Sequence, residues 1–546
     1  MSTDVKHAVA TTSASTERGS LTTGIGDERK MTASVREILN RHPAVGLAVG
    51  VVRHGSLEYF YGHGLADIAS HTPVTEDTVF RIASITKTFT AIAVMQLWEQ
   101  GLVNLDAPAN DYLRAYKLIP TRASFCPATV RHLLTHTSGI PEVVYCADLL
   151  HPGWGPFGER PAIGSVKVGE PLPSLAEYYR GCLRVVVEPG TAFAYSNHGF
   201  ATLGQLVEDV SGMPLERYFR EHIFEPLGMA DTDLVRSERV KRHLATGYAL
   251  GPSGARTIAD RDWVGGGGGG IYSSTRDMAR YVATLLGGGA NEYGRVLQPE
   301  TLATMFSPHY QPDPRLTSMG LAFFRHDAGD HLIVSHEGIL PGFNSQLAVA
   351  PEDGLGLIAF TNGASGAMTW LPSALGRLLH HLLGVPDEDV RGDVPQRPEF
   401  WGEFCGRYRF PPRVSDLRGR LMLGGGVQIF VHAGQLMLRV LSPMPIPALY
   451  SGLPLRPDDD EDPYVFRLDL AKFGMATVRL VFRHEAGGRT TVVHTDLGSQ
   501  PVSLYKQQAP KHQRPWITGA LGALAVAGTV KAVRQSRSRP HTETVG

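Results

Sequence analysis

The chain changes hydrophobic rhythm twice, and the order of those rhythms restricts its fold more than any other feature. "VGLAVGVVRHGSLEYFYGHGLAD" reads as two β-rich runs about a tight turn at Gly55. From about Leu102 to Leu286 the pattern is helical and loop-like, punctuated by Pro and Gly. It includes "GFATLGQLVEDVSG", which ends on a capping glycine, and "STRDMARYVATLLGG". β runs then return in "HLIVSHEG" and in "SQLAVAPEDGLGLIAFTN", a hairpin turning at "EDG". Strands at both ends with helices between them describe an α/β (α+β) fold, a sheet with a helical region inserted. A cleft is expected where the two meet.

Between the first β pair and the helical middle lies "FRIASITKTFTAIAVMQLWEQG". Ala91, Val94, Met95 and Trp98 fall on one side at helical spacing and Gly101 stops the helix, which is expected in a core. Ser84 and Lys87 interrupt its apolar character at the start. Residues three apart on a helix are neighbours, about 5–6 Å at Cβ, so the ammonium reaches the hydroxyl. The free N–H groups and positive dipole end there favour negative charge on a serine oxygen. With burial, the same field drives a lysine toward a neutral amine able to accept the serine proton. By itself S-x-x-K also fits a capping serine beside a solvated lysine, and "SLYK" (Ser503 to Lys506) is a second copy. That copy runs into "QQAPKHQRP" with no apolar helix behind it, so context separates the two.

Two further stretches supply context. "EPGTAFAYSNHGF" carries Tyr195, Ser196 and Asn197, the one Y-x-N of the chain. A phenol near Lys87 would have its anion stabilised, and the Asn197 amide can hold both the lysine and a substrate carbonyl. "SHEGILPGFNS" places His336, Glu337 and Gly338 on an expected strand, the glycine allowing close approach of another backbone. H-x-G also occurs at His151 and His432 and is weak alone.

In this order the three motifs resemble those of the β-lactamase and penicillin-binding-protein superfamily of serine hydrolases, particularly its class C branch. The likeness runs from about Val35 to Leu383 and includes "LLTHTSGIP" and "EPLGM". It implies a β-lactamase/DD-peptidase-like fold and an acyl-enzyme on Ser84, with Lys87 as partner. It further implies Tyr195 as general base, Asn197 as a substrate-positioning group, and an oxyanion hole from the backbone N–H groups of Ser84 and Ile339. His336 and Gly338 would line the third wall. Whether Lys87 or Tyr195 takes the first proton stays open.

One departure matters. Relatives acting on β-lactams or D-alanyl peptides usually have K-T-G where this chain has H-E-G, and a histidine, with a reference pKa of about 6.5, is largely neutral at pH 7. The H-x-G form looks more like the esterases, aminopeptidases and mitochondrial-type homologues. The resemblance therefore implies an esterase or peptidase acting on a small-molecule ester, amide or peptide, with no cofactor and no metal. A true β-lactamase or D-alanyl-D-alanine carboxypeptidase is the alternative. A non-catalytic binding or sensor protein on the same fold is the alternative of another class. The joint presence of serine, lysine, tyrosine and asparagine weighs against it.

The remaining features set bounds. Fifty-two Lys plus Arg against 53 Asp plus Glu leave a net charge of -1, which argues against a nucleic-acid partner. Cys126, Cys146, Cys182 and Cys405 lie far apart and read as buried or inert thiols. The run Gly265 to Gly270 reads as a flexible edge of the cleft rather than a phosphate loop. Without a G-x-S-x-G elbow an α/β-hydrolase is disfavoured. His136 reads as a packing and hydrogen-bonding residue, and His380 and His381 as helix-surface and core residues.

The chain divides into an arm over 1–32, a hydrolase domain over 33–385, a Pro- and acid-rich linker over 386–398, a β-rich domain over 399–508 and a basic tail over 509–546. The arm lacks the apolar core of a secretory signal, which favours a cytoplasmic start. The β-rich domain reads as small and antiparallel and resembles lipocalin-like modules. In the tail, Trp516 to Val530 is shorter than the roughly 20 residues that cross a bilayer. It reads either as an interfacial or tail anchor giving membrane association, or as a tail helix that is packed on protein or frayed.

Overall fold

The computed structural model describes residues 25–142, 164–386, 390–411, 425–441, 451–485 and 489–507. Cys146 and the tail segment Trp516 to Val530 lie outside them. The described residues up to Lys506 form one compact unit, and beyond it only Gln507 is described.

The first helix, α1 (Ile25–Arg41), begins inside the stretch assigned to the arm, and its Met31 and Val35 are buried. β1 (Gly46–Arg53) and β2 (Ser56–Asp67) form the expected hairpin, with Gly55 at φ +83°. β3 (Thr72–Pro73) follows. After the helical middle come β4 (Ser318–Met319), β5 (Phe324–Ala328), β6 (His331–Leu340), β7 (Phe343–Ala350) and β8 (Leu355–Thr361). All eight join one antiparallel sheet in the order β4-β5-β6-β7-β8-β1-β2-β3.

Strand alternation divides the core. Leu47, Val49 and Val51 of β1 and Leu355, Leu357 and Ala359 of β8 pack with residues of α1 and the later helix Ala367–Leu383. Ala48 and Val52, with Ile358 and Phe360, join the larger core on the other face. At the centre of that core is α2 (Thr86–Glu99), whose Phe89, Ile92, Val94, Met95 and Leu97 are all buried. Each large apolar side chain there is worth about 1.5–3 kcal/mol of burial. The expectation of a single apolar stripe needs correction. The helix is enclosed all round except at its end, where Trp98 is 37% exposed, because the inserted helices cover the side away from the sheet.

Eight strands from Gly406–Arg409 to Val502–Lys506 close into an antiparallel barrel, so the β-rich domain has no free edge. Phe404, Tyr408, Ile429, Leu436, Phe466, Leu480 and Phe482 belong to its core, with Phe404 stacked on Phe482 at 4.6 Å. The second S-x-x-K lies on its last strand. Ser503 bonds His494, while Lys506 donates to the carbonyl of Glu403.

None of the three described thiols is fully buried. Cys126 and Cys182 are exposed and Cys405 half-buried. The Cys126 thiol donates to Glu188 at 2.7 Å, and this bond pushes its pKa above the usual thiol value. Among the described residues no helix is long and apolar enough to cross a membrane.

Candidate active site

Ser84 sits two residues ahead of α2. Ala83–Ile85 form a 3-10 turn that runs directly into the helix, and Ala83 holds φ at +50°. A left-handed non-glycine backbone costs on the order of 1–3 kcal/mol and concentrates at functional sites. The turn is clamped on both sides. Ser345 of β7 donates to the Ile82 carbonyl at 2.7 Å, and Thr86 Oγ1 accepts from the Ile271 N–H at 3.1 Å.

Lys87 reaches back from the first turn of α2 and is completely buried. Its Nζ lies 3.0 Å from Ser84 Oγ, 2.6 Å from Asn197 Oδ1 and 2.5 Å from the Gly268 carbonyl. The two carbonyl-type oxygens can only accept, so they take two N–H groups of the amine. The third direction points at the serine. There an ammonium presents a proton and a neutral amine presents its lone pair.

Asn197 and Tyr195 arrive together because Ser196 caps a helix. Its hydroxyl accepts from the Gly199 N–H at 3.2 Å and starts α3 (Asn197–Ser211), which Gly212 ends at φ +72°. Tyr195 therefore projects just ahead of the helix, with Lys87 Nζ 4.9 Å from its ring centroid. His136 stacks on the same ring at 4.3 Å and accepts from the Ser196 N–H at 3.1 Å.

The glycine run is no flexible edge. Gly266–Gly269 form a short helix against α3 and α2, with Gly267 and Gly268 buried. Gly267 and Gly268 offer their carbonyls to Thr90 and Lys87 respectively. A Cβ on Gly267 would lie 3.0 Å from the Phe200 carbonyl and 3.2 Å from Gly204 Cα. Bare backbone lets the segment approach so closely.

The opposite wall is β6. β5 pairs with it only from His331 to Ser335, so His336 to Leu340 are paired on the β7 side alone. A Cβ on Gly338 would stand 2.1 Å from Ser345 Oγ and 2.2 Å from the Ile82 carbonyl, which places this glycine directly against the serine-bearing turn. His336 is fully buried, its ring 5.4 Å from Phe324 and 6.4 Å from Tyr195, and its Nδ1 donates to the Glu337 carbonyl at 2.7 Å. Ile339 is half-buried on the same strand, opposite Asn344.

The structure thus gathers Ser84, Lys87, Tyr195 and Asn197 on one side and His336, Gly338 and Ile339 on the other. It also brings in Glu142, which sequence reasoning passed over. The Asn197 nitrogen donates to Glu142 Oε1 at 2.6 Å, a partner beyond the lysine and substrate carbonyl expected for that amide. Glu142 directly follows "LLTHTSGIP", and that position was the one available signal.

The sequence model of the Beta-lactamase family matches residues 31–381. "Beta-lactamase-like protein 2" of Dictyostelium discoideum is 30% identical over 292 residues, 52% of this chain and 50% of that protein, so the chain spans half its length. Esterase EstB of Burkholderia gladioli is 33% identical over 215 residues, 38% of this chain and 52% of that one. The octameric penicillin-binding protein homologue from Pyrococcus abyssi superposes with a TM-score of 0.54 at 23% identity, over 88% of this chain and all of that one. That last likeness speaks for the fold, barrel included. With the family match spanning well over half its length, the chain belongs to the Beta-lactamase family.

Proposed function

We propose that the chain is a serine hydrolase that transfers the acyl group of an ester, amide or peptide to Ser84 and then to water. One observation carries this reading. Lys87 Nζ is held by two fixed acceptors with its third direction on Ser84 Oγ at 3.0 Å, beside the Tyr195 ring.

The Ser84 oxygen forms a bond to the substrate carbonyl carbon and its proton passes to the Lys87–Tyr195 pair. The oxyanion is received by the backbone N–H groups of Ser84 and Ile339. Collapse breaks the bond to the leaving group, which takes up the proton, and a water activated by Tyr195 releases the acid. Gly338 lets β6 come close enough to the 3-10 turn for one acyl carbon to touch both walls.

The third wall favours substrates without a carboxylate. His336 is buried among aromatic rings, and the residue beside it is Glu337, so no side chain of the H-E-G motif supplies a fixed positive charge. Likeness to an esterase supports the same ranking of ester or neutral peptide above β-lactam.

The test is labelling with a fluorescent fluorophosphonate, followed by turnover of p-nitrophenyl esters, D-amino-acid peptides and nitrocefin side by side. Wild type is expected to label and to prefer the esters or peptides. Ser84→Ala is expected to abolish labelling, and a label that survives the change removes Ser84 from its role.

A further inference from the structure

We infer that Glu142 is a positioning residue for acyl transfer at Ser84, fixing which end of the Asn197 amide faces Lys87. The inference rests on the reading of Ser84 and Lys87 as the reacting pair.

The two ends of an asparagine amide are nearly alike in shape and opposite in hydrogen bonding. Turned by half a rotation, Asn197 would set its NH2 against the Lys87 amine, donor against donor. Lys87 would then lose one of the two acceptors that aim its third direction at Ser84. Asn197 has no means of choosing for itself, and Glu142 supplies the choice. Its Oε1 accepts from Asn197 Nδ2 at 2.6 Å and its Oε2 from the Asn197 backbone N–H at 2.9 Å. A carboxylate only accepts, so the nitrogen end is held outward and Oδ1 inward, 2.6 Å from Lys87 Nζ.

Glu142 is itself held from behind. His198 is buried, and desolvation pushes its pKa down to about 4, so the ring is neutral. The Glu142 carbonyl can only accept, which puts the ring proton on His198 Nε2, 3.0 Å away. His198 Nδ1 then accepts from the Tyr179 hydroxyl at 2.8 Å. Donation thus converges on Glu142 from both ends, from Tyr179 through His198 to its carbonyl and from Lys87 through Asn197 to its carboxylate. This runs across residues 55 apart in sequence at the Glu142–Asn197 step.

The experiment compares fluorophosphonate labelling rates of the full chain. Glu142→Gln is nearly isosteric, but its single acceptor end cannot serve both Asn197 donors. Its maximal rate of phosphonylation is expected to fall about 10- to 100-fold, with the half-saturating probe concentration and the melting temperature little changed. In an Asn197→Ala background the same substitution should cost nothing further. Glu142→Asp keeps both acceptors on a shorter stem and is expected to recover part of the rate. If Glu142→Gln does not fold, the Asp variant in the two backgrounds decides by the same criterion. Wild-type rates in Glu142→Gln, or an equal loss with and without Asn197, would overturn the inference while leaving the reading of Ser84 intact. Wild type that fails to label at Ser84 removes both.

Discussion

Gly338 is closely hemmed in on the wall of the site. Its missing Cβ leaves room for the Ile82 carbonyl and the Ser345 hydroxyl, both within 2.2 Å of where that carbon would stand. Backbone cannot retreat as a side-chain tip can, so Gly338→Ala must push β6 away from the serine-bearing turn. An overpacking cost of about 1–3 kcal/mol is expected in thermal melts. Ester turnover is expected to fall by roughly 100-fold, since a displacement near 1 Å misaligns the two walls. A variant with wild-type turnover would show that close approach here is dispensable. At this scale the sequence was informative where chemistry is local. Ser84 and Lys87 are three apart on a helical turn, and Tyr195 and Asn197 flank one capping serine. Glu142 stayed hidden because its meaning depends on a partner 55 residues away. The glutamate has no spacing rule to mark it.

Among the elements, α5 (Thr275–Leu286), which follows the glycine helix α4 (Gly266–Gly269), carries a buried acid that titrates in an accessible range. Asp277 is fully buried and accepts from the Asp231 N–H at 2.7 Å, the Thr232 hydroxyl at 2.8 Å and Arg280 at 3.1 Å. Desolvation outweighs these bonds and raises its pKa to about 6. The folded state therefore holds this proton more tightly than the unfolded chain, whose carboxyl titrates near 4. Stability contributed by the group is full below about pH 4, declines as pH rises to about 6 and is level above. Asp277→Asn does not titrate. Its stability relative to wild type should rise through that window by on the order of 2–3 kcal/mol, read from urea unfolding at a series of pH values. A difference flat in pH would refute the raised pKa. Elements were legible wherever periodicity sufficed, as in β1, β2, β6, α2 and α3. The glycine run was misread because composition argues entropy alone, whereas α4 is fixed by Gly204 of α3, a neighbour that sequence does not display.

At the scale of the whole molecule, sequence gave the β-rich character of the second half, and its closure into a barrel depends on pairing the first strand with the last, Tyr408 with Lys506. No local pattern encodes that pairing. Nor does it encode docking. On the barrel strands Phe466, Leu480 and Phe482 belong to the barrel core, while the alternate residues Val465 and Val481 are buried with Leu316 of the Beta-lactamase-family body. Around this apolar contact, Arg315 pairs with Asp313 and with Asp462 of the barrel, and Arg479 donates to the Arg315 carbonyl at 3.1 Å. Gln500 lies 3.5 Å from Glu337, one residue from His336, so the contact extends to the wall of the site. Partly exposed ion pairs are worth about 0–1 kcal/mol each, and the apolar contact should dominate. Leu316→Asp removes that burial and sets an unpaired carboxylate against two valines, a loss of about 3–5 kcal/mol for docking. Wild type is expected to melt in one calorimetric transition, with the barrel and the Beta-lactamase-family body coupled. The variant is expected to melt in two, the barrel retaining its own core. A single unshifted transition in the variant would mean that the two halves are held together by something other than this contact.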